Sequence, residues 1–170
     1  MTQSRLRGRA RVFGDDVNTD YIISSTRKRD SLDPLVLRQY LFEAIDPAFA
    51  GSVAPGDLIV AGRNFGCGSA MEVAVTTVLG AGIKAVLAQS FSRTYYRNAI
   101  NNGLLPLICD TRRIREGDII TIESGAEMAV RNETTGEKLT PEKLPPIMLA
   151  ILAEGGLVPY MRRHGKFIVP

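Results

Sequence analysis

Gly62-Arg63-Asn64-Phe65-Gly66-Cys67-Gly68-Ser69-Ala70-Met71-Glu72 decides how this chain is read. It follows the apolar run Leu58-Ile59-Val60-Ala61, which reads as a buried strand, and precedes Val73 to Leu79, which reads as helix. The stretch is therefore a glycine-rich turn from strand to helix. Such a turn sets unpaired backbone N–H groups and the positive end of a helix dipole beside one hydroxyl, Ser69, and so suits an anion or an oxygen that is about to carry charge. Ser69-Ala70-Met71-Glu72 also fits a capping box, in which Ser69 and Glu72 satisfy the first helical amides. A cap accounts for neither the glycines at 62, 66 and 68 nor Asn64, because glycine at that density marks positive φ or close backbone approach. Known phosphate loops fit poorly: a G-x-G-x-x-G from Gly66 meets Met71 at its last glycine, and no Gly-Lys precedes a Ser or Thr.

Outward from this turn, strands and helices alternate. Arg9 to Phe13 reads as a strand. Asp33-Pro34 opens a helix read over Leu35 to Ile45, with Asp as cap and Pro at the first helical position. Ala54-Pro55-Gly56-Asp57 is a tight turn into the strand Leu58 to Ala61. A helix from Ala70 to Ala81 stops at Gly82, Ile83 to Ala88 is a strand, a helix capped by Ser90 or Ser92 runs to Asn102 and stops at Gly103, and Leu104 to Cys109 is again a strand. This alternation predicts an α/β fold with a parallel sheet. Beyond Asp110 the pattern becomes antiparallel, with strands over Gly117 to Ile122, Glu127 to Asn132 and Glu137 to Leu139. Two helices close the chain, Pro146 to Glu154 and Leu157 to His164. Arg5, Arg7, Arg9 and Arg11 alternate with smaller or apolar residues, which points to one face of a solvated edge strand or of a strand facing a partner.

Two other segments belong with the turn. They are Asp16-Val17-Asn18-Thr19-Asp20-Tyr21-Ile22-Ile23 and Ser90-Phe91-Ser92-Arg93-Thr94-Tyr95-Tyr96-Arg97-Asn98-Ala99-Ile100-Asn101-Asn102-Gly103. In this order and spacing the three segments resemble the small subunit of 3-isopropylmalate dehydratase, the stand-alone counterpart of the aconitase swivel domain. The resemblance covers most of residues 12 to 109. It implies a three-layer β/β/α swivelling domain like the aconitase C-terminal domain, with a mostly parallel central sheet and a smaller antiparallel part, over a single domain spanning 1–170. It further implies a hydro-lyase of leucine biosynthesis that is active only with a large subunit, and a hydroxy-dicarboxylate substrate whose water is removed and re-added. Ser69 is the implied proton-abstracting base, and Ser25, Thr26, Arg27, Arg63, Asn64, Gly68, Ala70 and Met71 are the implied substrate contacts. The [4Fe–4S] cluster such a reaction uses is expected on the large subunit, with no cofactor bound by this chain.

One departure stands out. The family commonly reads Gly-Ser-Ser-Arg-Glu where this chain has Gly68-Ser69-Ala70-Met71-Glu72. A missing arginine removes a charge-assisted bond worth about 1.5–3 kcal/mol. Arg63, Arg27 or Arg29 replaces it, the substrate is another substituted malate such as citramalate, dimethylmalate or homoaconitate, or activity is weak; Met71 itself is apolar enough to line a pocket for an alkyl group. Asp20 reads either as an Asx-turn residue or as part of the active-site mouth. The basic run Arg27-Lys28-Arg29 reads either as a solvated loop or as the specificity loop of the family. Arg93 and Arg97, four apart on one helix, and Tyr95 and Tyr96 read as structural.

Composition narrows the alternatives. The 170 residues are 45% hydrophobic and 23% charged, with net charge +3, ordinary values for a globular protein. No apolar run approaches the roughly 18 residues of a membrane span, and the first residues lack an apolar signal core, so no membrane is expected and a cytoplasmic location is. Two cysteines and one histidine are too few for a disulfide framework or for a metal site made by this chain alone. No nucleic-acid motif accompanies the arginines, and no nucleic-acid partner is expected. Self-association of the isolated chain remains open, as do two other classes of function: a phosphate- or nucleotide-binding module built on the Gly66 to Ser69 turn, and a non-enzymatic interaction protein.

Overall fold

The computed structural model describes residues 5–124 and 127–168; the leading Met1 to Ser4, read above for a signal core, lie outside it. Seven strands form one mixed sheet in the order β4-β3-β2-β1-β5-β6-β7. They are β1 (Arg5–Val12), β2 (Leu58–Ala61), β3 (Ala85–Ala88), β4 (Leu105–Ile108), β5 (Ile119–Glu123), β6 (Ala129–Asn132) and β7 (Lys138–Leu139). β1 to β4 are parallel to one another, and β5, β6 and β7 continue the sheet in antiparallel pairs. The antiparallel part is thus continuous with the parallel part through β1, which pairs with β2 over Ala10 to Val12 and with β5 over Arg5 to Arg9.

Helices pack around it: α1 (Thr19–Ile22), α2 (Pro34–Leu37), α3 (Phe49–Ser52), α4 (Val73–Gly80), α5 (Arg93–Asn102), α6 (Pro146–Ala153) and α7 (Leu157–His164). The uninterrupted apolar runs of β2 and β3 have a direct cause, burial on both faces. Ile59, Ala61, Val86 and Ala88 join a core with residues of α1 and α4, whereas Leu58, Val60, Ala85 and Leu87 join a second core with Ile120, Ile122, Val130 and Leu139 of the antiparallel strands and with Ile151 and Tyr160. One core thus holds side chains from both halves of a single sheet. The sheet curls over on itself, and this gives the β/β/α layering that the resemblance led one to expect.

Several local expectations give way to tertiary contacts. β1 is not an edge strand but lies between β2 and β5. Its arginines are held by carboxylates far away in sequence: Arg5 and Arg7 meet Glu133, Arg9 meets Asp57 at 2.8 Å, and the buried Arg11 meets Glu116 at 2.7 Å. The helix read over Leu35 to Ile45 stops at Leu37 and passes through a 3-10 turn at Arg38–Tyr40. Phe42 takes a left-handed φ of 56°, and its fully buried ring stacks on Phe13 at 4.1 Å and meets Phe49 edge-on at 4.9 Å. Packing of that ring outweighs helix propensity. Asp33 and Pro34 do start α2 as read, with the Asp33 carboxylate accepting from the Leu35 amide at 2.9 Å.

Candidate active site

Parallel strands deliver their exit loops to one edge of a sheet, where ligands of open α/β folds bind. Here the exits of β1, β2 and β3 are residues 13–18, 62–72 and 89–92, so the three sequence segments singled out above meet. Hydrogen bonds stitch them together. The Gly62 amide donates to the Gly14 carbonyl, and Asp16 donates to the carbonyl of Arg63 at 2.8 Å. Asn64, at a left-handed φ of 59°, gives its side-chain amide to Asp16 at 2.8 Å and its backbone amide to Ser90 Oγ at 2.8 Å. Phe65 exchanges backbone bonds with Ser90 and Ser92, and Ser92 Oγ donates to the Gly66 carbonyl at 2.7 Å while capping α5. Of the two serines proposed as that cap, Ser92 holds the position.

Two glycines are fixed by close approach. A Cβ on Gly66 would lie 2.2 Å from Cγ of the buried Tyr95 ring, and one on Gly68 would lie 2.6 Å from both polar side-chain atoms of Asn18. Both residues also hold left-handed φ, 77° and 92°. The turn is threaded tightly between α5 below and the 17–19 segment beside it.

The capping box read at Ser69 and Glu72 does not form. α4 begins at Val73, and Glu72 stands at its N-cap with no side-chain cap bond. The Ser69 carbonyl instead accepts the Thr19 hydroxyl at 2.9 Å, which draws Ser69 out of the helical path. Gly68, Ser69 and Ala70 are exposed. Among the described residues the Ser69 hydroxyl makes no hydrogen bond, and the amides of Gly68, Ser69, Ala70, Met71 and Glu72 meet no acceptor. The result is an exposed hydroxyl in a run of free N–H donors, set just before a helix rather than on its first turn.

The other sequence-predicted residues divide into those close to this turn through bonding and those occupied elsewhere. The Asp20 carboxylate accepts the Ser25 amide at 2.9 Å and so links Ser25 and Thr26 to the 17–20 segment; Asn18, rather than Asp20, makes the Asx-type turn by accepting from the Asp20 amide. Arg63 is 72% exposed and forks onto Asp15, whose carboxyl the amide and guanidinium of Arg63 hold below its ordinary range. Arg27 is committed to Glu43 through two bonds of 2.8 and 2.9 Å, and its guanidinium lies over the Tyr40 ring at 3.8 Å. Lys28 and Arg29 are exposed and make no ion pair with the described residues. Met71 is only 5% exposed and its side chain belongs to the core of α1 and α4, so its apolar surface faces inward rather than onto the open turn. Thr19, which ties the Ser69 carbonyl, is a contact that no motif singled out by itself. Its signal was present, a hydroxyl residue directly after the capping Asn18 in a segment already singled out.

Cys67 on the turn and Cys109 at the end of β4 are both free thiols, the second pushed up to about 12 by burial and by Asp110. Among the described residues no group of three or more His, Cys, Asp or Glu is placed to hold a metal ion. This donor set does not fit an iron–sulfur cluster, which takes several thiolates. No helix among the described residues is long and apolar enough to cross a membrane.

Comparison with known proteins places the fold and the family. The family model of the aconitase C-terminal domain matches residues 26–112. The 3-isopropylmalate dehydratase small subunit 2 of Archaeoglobus fulgidus is 44% identical over 161 residues, covering 95% of this chain and 97% of the relative. The methanogen homoaconitase small subunit of Methanocaldococcus jannaschii is 46% identical, covering 94% of this chain and 92% of the relative. The crystal structure of 3-isopropylmalate dehydratase from Methanocaldococcus jannaschii superposes with a TM-score of 0.90 at 43% identity and covers 95% of this chain and 96% of that one. The chain belongs to the aconitase C-terminal domain family, among the small subunits of 3-isopropylmalate dehydratase and its homoaconitate- and citramalate-isomerising relatives.

Proposed function

We propose that this chain, as one swivel-type domain, is the small subunit of a two-subunit hydro-lyase that interconverts 2-isopropylmalate and 3-isopropylmalate. The observation that carries the reading is the exposed Ser69 hydroxyl, which among the described residues has no partner and is flanked by amides that meet no acceptor. In the forward direction Ser69, as alkoxide, takes the proton from the carbon beside the one bearing the hydroxyl. The C–H electron pair becomes the double bond, and the hydroxyl leaves with its own pair. Rehydration with the opposite regiochemistry returns the proton from Ser69 and completes the isomerisation. Serine is a weak base in water, and oriented N–H donors in a site closed off by a second subunit are what make its alkoxide accessible. When bound on the large subunit, a [4Fe–4S] cluster supplies the Lewis acid for the departing hydroxide.

Around Ser69 we assign to the amides of Gly68 and Ala70 the substrate carboxylate on the carbon that loses its proton, where charge builds as the proton leaves, and to Arg63, which exchanges Asp15 for substrate, another carboxylate. Asn64 holds the turn, Ser25, Thr26 and Arg27 rim the site, and Met71 supports it from the core. A second reading, homoaconitate as substrate, is favoured by the similarity to the methanogen homoaconitase small subunit and by Lys28 and Arg29, two cations available for an extra carboxylate. The test is anaerobic co-purification with the cognate large subunit and hydration assays across isopropylmaleate, citraconate and homoaconitate. The highest kcat/KM on isopropylmaleate supports the first reading, and the highest on homoaconitate the second. A complex with no hydratase activity on any of the three, or phosphate binding by the isolated chain in its place, overturns both.

A further inference from the structure

Thr19 is buried, 2% exposed, and touches the turn twice. Its amide donates to the Cys67 carbonyl at 2.8 Å and its hydroxyl to the Ser69 carbonyl at 2.9 Å. The two carbonyls belong to alternate peptide units, and no peptide bond in the described chain is cis. In a trans peptide the carbonyl and the following N–H point in opposite directions. Drawing the carbonyls of Cys67 and Ser69 toward Thr19 therefore turns the amides of Gly68 and Ala70 away from it, toward the open side on which Ser69 stands. The contact at Gly68 reinforces the arrangement, because the Asn18 side chain fills the space where a Cβ would be.

We propose that Thr19 is the positioning residue of this site: its amide and hydroxyl lock the two peptide planes on either side of Ser69 so that both flanking amides face the hydroxyl's reaction partner. The proposal rests on the reading of Ser69 as the base. Thr19 touches no substrate. It works by sparing the donors any reorganisation at the moment charge develops, the condition under which such donors contribute most. The amide bond survives most substitutions at position 19, so the hydroxyl is the part a side-chain change removes.

The test compares Thr19→Val, Thr19→Ser and Ser69→Ala in the complex with the large subunit, together with carbon and nitrogen chemical shifts of the isolated small subunit. Thr19→Val should lower kcat about 10- to 100-fold, the scale of a misplaced donor, with KM within about threefold, and Thr19→Ser should restore kcat. In the isolated subunit Thr19→Val should move the Ser69 carbonyl carbon and the Ala70 amide nitrogen upfield, and Thr19→Ser should leave both in place. Should the valine variant fail to fold, Thr19→Ala takes its position in both measurements. Unchanged kcat in the valine variant overturns the proposal, as does loss of kcat that serine does not restore, or unmoved shifts. Full turnover by Ser69→Ala instead overturns the reading of Ser69 as the base; the shifts still decide whether Thr19 orients the two amides.

Discussion

β2 has one kind of loop at its entrance and another at its exit, and the difference separates what holds this protein together from what it offers a partner. At the entrance, Ala54 to Asp57, all three amides and the carboxylate are met. The Asp57 carboxylate accepts from the Ala54 amide at 3.0 Å and from Arg9 at 2.8 Å, and lies 3.5 Å from the buried Arg11. Arg11 is further bound by Glu116 and Ser52 and lies over the Phe49 ring at 4.5 Å. The same device recurs below β5, where Asp118 accepts from the Arg115 amide and from Asn132. At the exit, by contrast, five successive amides and a hydroxyl find no acceptor or donor among the described residues. Buried polar groups are almost always satisfied; unsatisfied ones left at an exposed loop that is otherwise tightly tied are available to a ligand. The saturated end supplies rigidity, and the unsaturated end is where chemistry can happen.

The contrast breaks most visibly with one substitution at each end. Ser69→Ala should cost about 10³-fold in kcat, or about 4 kcal/mol of transition-state stabilisation, the middle of the range for a positioned base. It should leave the urea midpoint of the small subunit unchanged. Asp57→Ala should do the reverse: about 3 kcal/mol of stability lost, because Arg11 keeps its burial while losing a partner, and near-normal kcat in whatever fraction folds. If both variants lose activity and stability together, the two ends of β2 are not separable.

A pH series sharpens the same point. Burial alone raises the Asp57 carboxyl, but the bonds from Arg9, the Ala54 amide and Arg11 outweigh it, and the folded pKa lies below the ordinary value. A depressed acid contributes stability that is present above its unfolded pKa, about 3.9, and is lost as pH falls below that value toward the folded pKa. The unfolding midpoint of the native chain should therefore drop on acidification below about pH 4, and Asp57→Ala should make that acid limb shallower.

What the sequence disclosed follows the same division by distance along the chain. Asp33 before Pro34, the glycine after α5 and the apolar runs of β2 and β3 were legible because their causes lie within a few residues. The three segments of the site were legible as motifs. The arginines of β1 were not, because their partners Asp57, Glu116 and Glu133 lie 46 to 128 residues away, and the pairing with β5 that makes the strand central is equally remote. The early end of α2 was hidden for the same reason, since Phe42 turns to reach Phe13 and Phe49. At the site, Ser69 fitted a capping box well; only the contact with Thr19, 50 residues earlier, shows why it stands free. The commitment of Arg27 to Glu43 and the inward side chain of Met71 likewise depend on tertiary neighbours.

A smaller effect is expected at Gly68. Its φ of 92° and the Asn18 side chain leave no room for a Cβ. Gly68→Ala should cost about 2 kcal/mol, within the range for a strained backbone position, read as a lower urea midpoint. Because the loop relaxes by displacing Asn18, kcat should fall as well, and this variant should be the one that couples the two properties. An unchanged midpoint would mean that the 17–19 segment yields freely and that the turn is not pinned.

The smallest effect tests the rule on which the comparison stands. Thr77 lies on α4, one helix beyond the exit loop; it is fully buried, and its hydroxyl has no partner among the described residues. Unlike the amides of the loop, this group is shut away from water and from any ligand, so its unmet bond is a cost without a use. Thr77→Val keeps the branched shape and removes the hydroxyl. The urea midpoint should rise by the equivalent of about 0.5–1 kcal/mol, since a buried group stripped of partners loses more than it gains, with kcat of the assembled enzyme unchanged. A fall in the midpoint would show that the hydroxyl is satisfied in solution, and would remove the one buried side-chain exception among the described residues to the division between a saturated interior and an unsaturated site.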